Sequence, residues 1–331
     1  MFVRPLLGLC VAVSGVTSAR AEESTARMIK SHGFSEAVEL KLGKTRAILC
    51  PQAGGRVLEF SVDGTDAMYF DEAEKKWQPG KPGPITAGRF DYGPELTVIA
   101  HPKAWSGEWT AEITKAPSVK LTSPKEAAGI QLVREFRLVP HDKFVGLSCK
   151  QTMTNVSKDA REVCHWGRSF SPGGGICVVP LGDRPSRFPG KYAMYEDGAV
   201  INVKAADEKI RERDGFLEIL APPRKPKLGF DTYAGWLAYA MPNGALFVKR
   251  FATYPDRVYN EAAGLTLSVW YPAGPRIELE PIGPRERLKP GESASFTEDW
   301  WLLSHPFPKK GEKIYLKALA EQVAKQTTAT N

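Results

Sequence analysis

What the chain lacks narrows it first. Beyond residue 21 no apolar run approaches the roughly 20 residues that a spanning helix needs. No long helical periodicity occurs before the last twenty residues, which excludes a helix bundle and most α/β architectures. Cysteine is scarce, five in 331 residues, so disulfides do not build the scaffold. Histidine is equally scarce, five in all, and no His or Cys pair has ligand spacing. No metal and no cofactor is therefore expected. Positive charge is in excess, 45 basic against 38 acidic residues for a formal +7, but it is interleaved with acids. Its one cluster, Pro-Pro-Arg-Lys-Pro-Lys over 222–227, reads as a solvated loop, so no nucleic-acid partner is expected. The glycines Gly173, Gly174 and Gly175 lead into no helix pattern, which argues against a phosphate cradle.

What is present begins with an export signal. Arg4 supplies a basic start, 6–16 an apolar core, and Ala19-Arg20-Ala21 a small-x-small cleavage site. Residues 1–21 are expected to be removed, leaving an exported protein, periplasmic or secreted, with formal charge lowered from +7 to +5 by loss of Arg4 and Arg20. A lipid anchor on Cys10 is disfavoured because no small residue precedes it. The remainder, 22–331, shows no internal break and is expected to form a single domain.

From residue 36 the pattern is short strands punctuated by Gly and Pro. Strands are expected at 45–50, 56–62, 130–139, 144–153, 161–170, 176–179, 235–240, 245–251, 265–271, 276–281 and 296–303. One helix is expected over 312–326, with Leu316, Leu319 and Val323 on one face. The expected class is all-β, a sandwich with a short C-terminal helix. Residues 77–109 read as a long irregular loop rich in Gly, Pro and aromatics, of the kind that forms sites. Cys149 and Cys164 flank a turn-like 155–159, so a hairpin there would place them opposite each other for a bridge; buried free thiols are the favoured reading.

The strand Arg-Ile-Glu-Leu-Glu-Pro over 276–281 projects Glu278 and Glu280 from one face, because strand side chains alternate. Two carboxylates on one strand suit acid–base work, or else lie on a solvated face paired with neighbours such as Arg276. His165, beside Trp166, reads by itself as a hydrogen-bonded structural histidine. His101, Trp105 and Arg89 lie in the irregular segment. An aromatic face and an arginine fork there could line a site; core packing and surface exposure are the competing readings.

Several of these motifs together carry a family likeness. Gly54-Gly55-Arg56, the run from His101 to Trp105, Thr154-Asn155 followed by His165-Trp166, Glu278-Leu279-Glu280, Leu288-Lys289-Pro290-Gly291 and Thr297-Glu298-Asp299-Trp300 resemble the galactose mutarotase-like (aldose 1-epimerase) superfamily, in its branch of secreted bacterial proteins. The resemblance implies a β-supersandwich with a carbohydrate-binding cleft. It also implies a histidine acid and a glutamate base, which map onto His165 and Glu280, with Arg89, His101, Trp105, Trp166 and Glu278 contacting sugar. The superfamily's Asn-x-x-His-Gly-Gly signature is absent, and Trp166-Gly167 stands where a tyrosine and phenylalanine usually follow the histidine. Two functions follow: an aldose 1-epimerase, or a non-catalytic glycan-binding protein. A structural envelope protein without ligand is a third.

Overall fold

The computed structural model describes residues 24–78, 84–115, 117–196, 200–202 and 206–330. The leader expected over 1–21 lies outside the described residues. The chain folds as the expected all-β sandwich, with two large antiparallel sheets of 13 and 10 strands. No described helix is long and apolar enough to cross a membrane.

The larger sheet carries at its centre, in spatial order, Gly88–Gly93, Arg161–Pro172, Arg276–Pro281, Leu267–Trp270 and Lys227–Phe230. The smaller sheet runs through Ile176–Pro180, Trp236–Ala240, Ala245–Phe251, Ser293–Ser304, Phe144–Asn155 and Ile130–His141. Their facing sides share one apolar core. At its middle Trp300 stacks on Phe90 at 5.3 Å and meets Phe247 edge-on at 5.5 Å. The Ser293–Ser304 strand is apolar on both faces for a reason that its alternation makes plain. Trp300 and Leu302 enter the core between the sheets, whereas Trp301 and Leu303 turn outward. There the helix Leu316–Gln326 covers them with Leu316, Leu319 and Val323. The helix begins four residues later than the sequence suggests, at Leu316.

Two expectations are corrected. The segment 77–109 is not one irregular loop: it contains the strand Gly88–Gly93, buried on both faces and paired with Arg161–Pro172, and the helical turn Pro102–Ser106. Gly-Arg-Phe-Asp-Tyr-Gly hides its strand character because its charged face is neutralised by residues far away in sequence. Its first glycine has a steric role, since a Cβ on Gly88 would sit 2.7 Å from the Trp300 ring. The second correction concerns the hairpin at 155–159, while the cysteines are the buried free thiols that the sequence favours. The turn after Asn155 passes the chain from one sheet to the other instead of closing a hairpin: Phe144–Asn155 pairs with Ser293–Ser304, and Arg161–Pro172 with Gly88–Gly93. Cys149 packs in the core between the sheets, Cys164 in a separate cluster with Trp166, and both are free and buried, as are Cys50 and Cys177.

Trp300 makes the central contacts across both sheets, so Trp300→Ala is expected to lower unfolding free energy by about 3–5 kcal/mol. A shift of the urea midpoint to lower concentration, with the slope unchanged, is the measurement that checks it.

Candidate functional site

The strand Arg161–Pro172 divides the chemistry of the molecule between its two faces. His165, Gly167 and Ser169 point toward the smaller sheet, and Trp166, Arg168 and Phe170 point the other way.

The inward face meets Glu298, a carboxylate with no solvent exposure. Glu298 accepts from His165 Nε2 at 2.6 Å, from Trp300 Nε1 at 3.1 Å and from Lys249 Nζ at 2.8 Å. Gly167 makes room for it: a Cβ there would fall 1.9 Å from Glu298 Oε1. The surrounding network fixes the tautomer of His165. Arg134 Nε can only donate, so it sets the oxygen of Gln151, and the Gln151 amide nitrogen then donates to Asp91 O and to His165 Nδ1. His165 Nδ1 is thus an acceptor, and the ring is neutral with its proton on Nε2. Burial pushes the His165 pKa below its ordinary value, with the Glu298 carboxylate only partly opposing. Burial alone would raise Glu298, but Lys249 and His165 outweigh it and hold the carboxyl at about 2.

The outward face forms a cleft of about 580 Å³. Register places its groups side by side: Arg89 opposite Arg168, Asp91 opposite Trp166, Glu278 opposite both Phe170 and Trp270, and Trp270 opposite Lys227. Glu278 is not on a solvated strand face. It is buried, and one of its oxygens accepts from Arg89 Nη2 at 2.5 Å and Arg168 Nε at 3.1 Å. Burial would raise its pKa, yet Arg89, Arg168 and Lys227 bring it down to about 2. Glu280 is also buried and receives Lys227 Nζ at 2.5 and 2.7 Å and Trp166 Nε1 at 2.8 Å. Its pKa is raised, by burial first and by repulsion from Glu278, with Lys227 opposing. Trp105 lies over the guanidinium carbons of Arg89 and Arg168, at 4.7 and 5.0 Å. His101 stands behind the cleft wall. Its Nδ1 meets Ile99 O at 2.7 Å and its Nε2 meets Asp91 Oδ1 at 2.7 Å. Two acceptors need two ring protons, so His101 is an imidazolium; burial would lower its pKa, and Asp91 more than compensates, leaving it raised.

The structure therefore brings together Arg89, Trp105, Trp166, Glu278 and Glu280, with His101 joined to them through Asp91. It does not bring His165 to Glu280. The two lie on opposite faces of the same sheet, because the odd-numbered position 165 and the even-numbered Trp166 and Arg168 of one strand alternate. Among the cleft residues that were not site candidates from sequence are Arg168, Phe170, Lys227, Trp270 and Arg276. The signal for Trp270 was present, since Leu267 and Val269 mark one apolar face and leave Ser268 and Trp270 on the other. Lys227 sat in a cluster that looked merely solvated.

No family model and no curated relative matches the chain. Solved structures do. A galactose mutarotase-like protein from Lactobacillus casei ATCC 334 superposes with TM-score 0.56 at 12% identity, covering 81% of this chain and all of the other. A galactose mutarotase-like protein from Clostridium acetobutylicum gives 0.56 at 11% identity, with 85% and 99% covered. A galactose mutarotase related enzyme from Lactobacillus acidophilus gives 0.53 at 10%, with 86% and 100% covered. The chain has the galactose mutarotase-like fold.

The two histidines are expected to titrate in opposite directions. In NMR titrations of the imidazole C–H signals, His101 should have its midpoint above 6.5 and His165 below it, assigned with His101→Gln and His165→Gln. By linkage, the stability tied to His165 is present above pH 6.5 and lost as pH falls below it. That tied to His101 is present below 6.5 and lost as pH rises through its raised value.

Proposed function

We propose that this protein binds carbohydrate in the cleft on the outer face of the larger sheet, and that it does so without His/Glu acid–base catalysis. The observation that carries this reading is the combination of an aromatic and guanidinium-lined cleft with the position of both candidate histidines. Phe170 and Trp270 supply apolar surface, Arg89, Arg168 and Lys227 supply donors, and about 580 Å³ is a volume that a mono- or disaccharide fills. The fold shared with galactose mutarotase-like proteins supports the same ligand class.

Mutarotation requires a base for the anomeric hydroxyl proton and an acid for the ring oxygen. His165 donates inward to Glu298 and has no route to the cleft; His101 spends both ring protons on Ile99 O and Asp91. Glu280, fully buried beneath Lys227, is the base candidate that remains. Its raised pKa is the one feature favouring the aldose 1-epimerase reading, and Lys227 and Trp166 would have to release it before it could accept a substrate proton. The leader-like 1–21 supports placing this binding outside the cytoplasm.

Calorimetric titration with a panel of saccharides should give saturable binding, and Trp270→Ala should weaken it at least tenfold, about 1.4 kcal/mol. Polarimetry of freshly dissolved aldoses should show the same rate of anomer interconversion with wild type, with Glu280→Gln and with buffer. Acceleration by wild type that Glu280→Gln abolishes, in a variant that circular dichroism shows folded, would establish the epimerase instead.

A further inference from the structure

The cations of the cleft are not equivalent. Arg89 and Arg168 share Glu278, Arg168 lies 3.7 Å from Asp91, and Lys227 is held by Glu280. Arg276 differs. It opens the Arg276–Pro281 strand on the same face as Glu278 and Glu280, and it lines the cleft. No carboxylate lies within ion-pair distance of it among the described residues. Three aromatic rings hold it in place: its guanidinium carbon is 5.2 Å from the centre of Phe170, 5.6 Å from Trp270 and 5.9 Å from Tyr69. Its Nε is buried and donates to no acceptor among the described residues.

We propose that Arg276 is an anion subsite of the cleft, which takes the oxyanion of a charged saccharide: a uronate carboxylate, or a sulfate or phosphate ester. This rests on the carbohydrate reading and names the class of sugar. A buried N–H without an acceptor is a cost that the ligand removes. A planar oxyanion accepting from Nε and a terminal nitrogen of one guanidinium forms the two-pronged contact for which arginine is suited and lysine is not. The rings around Arg276 fix the fork in advance, so little side-chain freedom is lost on binding. The other arginines of the cleft are already engaged by carboxylates, Arg89 by Glu278 and Arg168 by Glu278 and Asp91. Sequence alone pairs Arg276 with Glu278; the structure gives that carboxylate to Arg89 and Arg168 and leaves Arg276 without one.

Calorimetry at fixed ionic strength separates the possibilities. The probes are galacturonate oligomers, a sulfated disaccharide and glucose 6-phosphate, each beside its neutral counterpart, with inorganic sulfate and phosphate as further arms. At least one anionic saccharide should bind ten times more tightly than its neutral partner. Arg276→Met should erase that difference and leave neutral sugars within twofold, and Arg276→Lys should restore it only in part. No ion pair is broken by either change, and thermal melts should show both variants folded. Equal affinity for charged and neutral sugars, or a preference that survives Arg276→Met, overturns the anion subsite while leaving carbohydrate binding intact. Inorganic anions that bind as tightly as any charged sugar overturn it too, marking Arg276 as a site for free ions. Failure of every saccharide, charged or neutral, overturns both readings. Which anionic probe binds best tells the carboxylate from the esters.

Discussion

A carboxylate removed from water must find donors for its lone pairs, and Glu298 obtains them from both sheets at once. Lys249 and Trp300 come from the smaller sheet and His165 from the larger, and Gly167 supplies the gap into which the carboxylate fits. Lys249 is itself completed by Ser169 Oγ and Leu279 O, so the adjacent strand Arg276–Pro281 is drawn into the same network. Because this cluster fixes which side of Arg161–Pro172 faces inward, it also fixes the opposite side. Arg168 and Phe170 then line the cleft, and Trp166 packs beside it in a small apolar cluster.

On that outer side the same accounting recurs in a wetter setting. Register brings Arg89, Arg168 and Lys227 against Glu278 and Glu280, and the aromatic rings of Trp105, Trp166 and Phe170 lie over the cations. These groups hold one another in place, which gives the cleft a rigid floor before any ligand arrives. Each of these cations has a carboxylate beside it, and pairing stops at Arg276. An acid–base pair for mutarotation needs the opposite arrangement, with a donor and an acceptor turned toward the ligand and not toward each other.

Much of the architecture was legible in the chain. The alternation of Ile130, Leu132, Phe136 and Leu138, the turns at Asn243-Gly244 and Pro290-Gly291, and the helical spacing of Leu316, Leu319 and Val323 each give the local structure that is found. The same rule puts Glu278 and Glu280 on one face. The strand Gly88–Gly93 was not legible, because Arg89 and Asp91 look like loop residues until Glu278, Arg168 and His101 are brought to them. The apposition of His165 and Glu280 failed for a related reason. A histidine's usefulness depends on the face it occupies, and the sequence around His165 has aromatic or apolar neighbours on both sides.

By itself, then, the sequence determined many of the elements, the parity of side chains within each strand and the carboxylates that share a face, since these follow from backbone geometry over a few residues. Tertiary structure alone decided which charges meet. Arg89 reaches Glu278 across 189 positions of sequence, and His165 reaches Glu298 across 133. Pairing between strands so far apart carries no local signature, because a buried charge is satisfied by whichever donor the fold delivers. That is why the histidine with the most catalytic appearance closes the core, while an arginine that seemed paired is left facing the cleft.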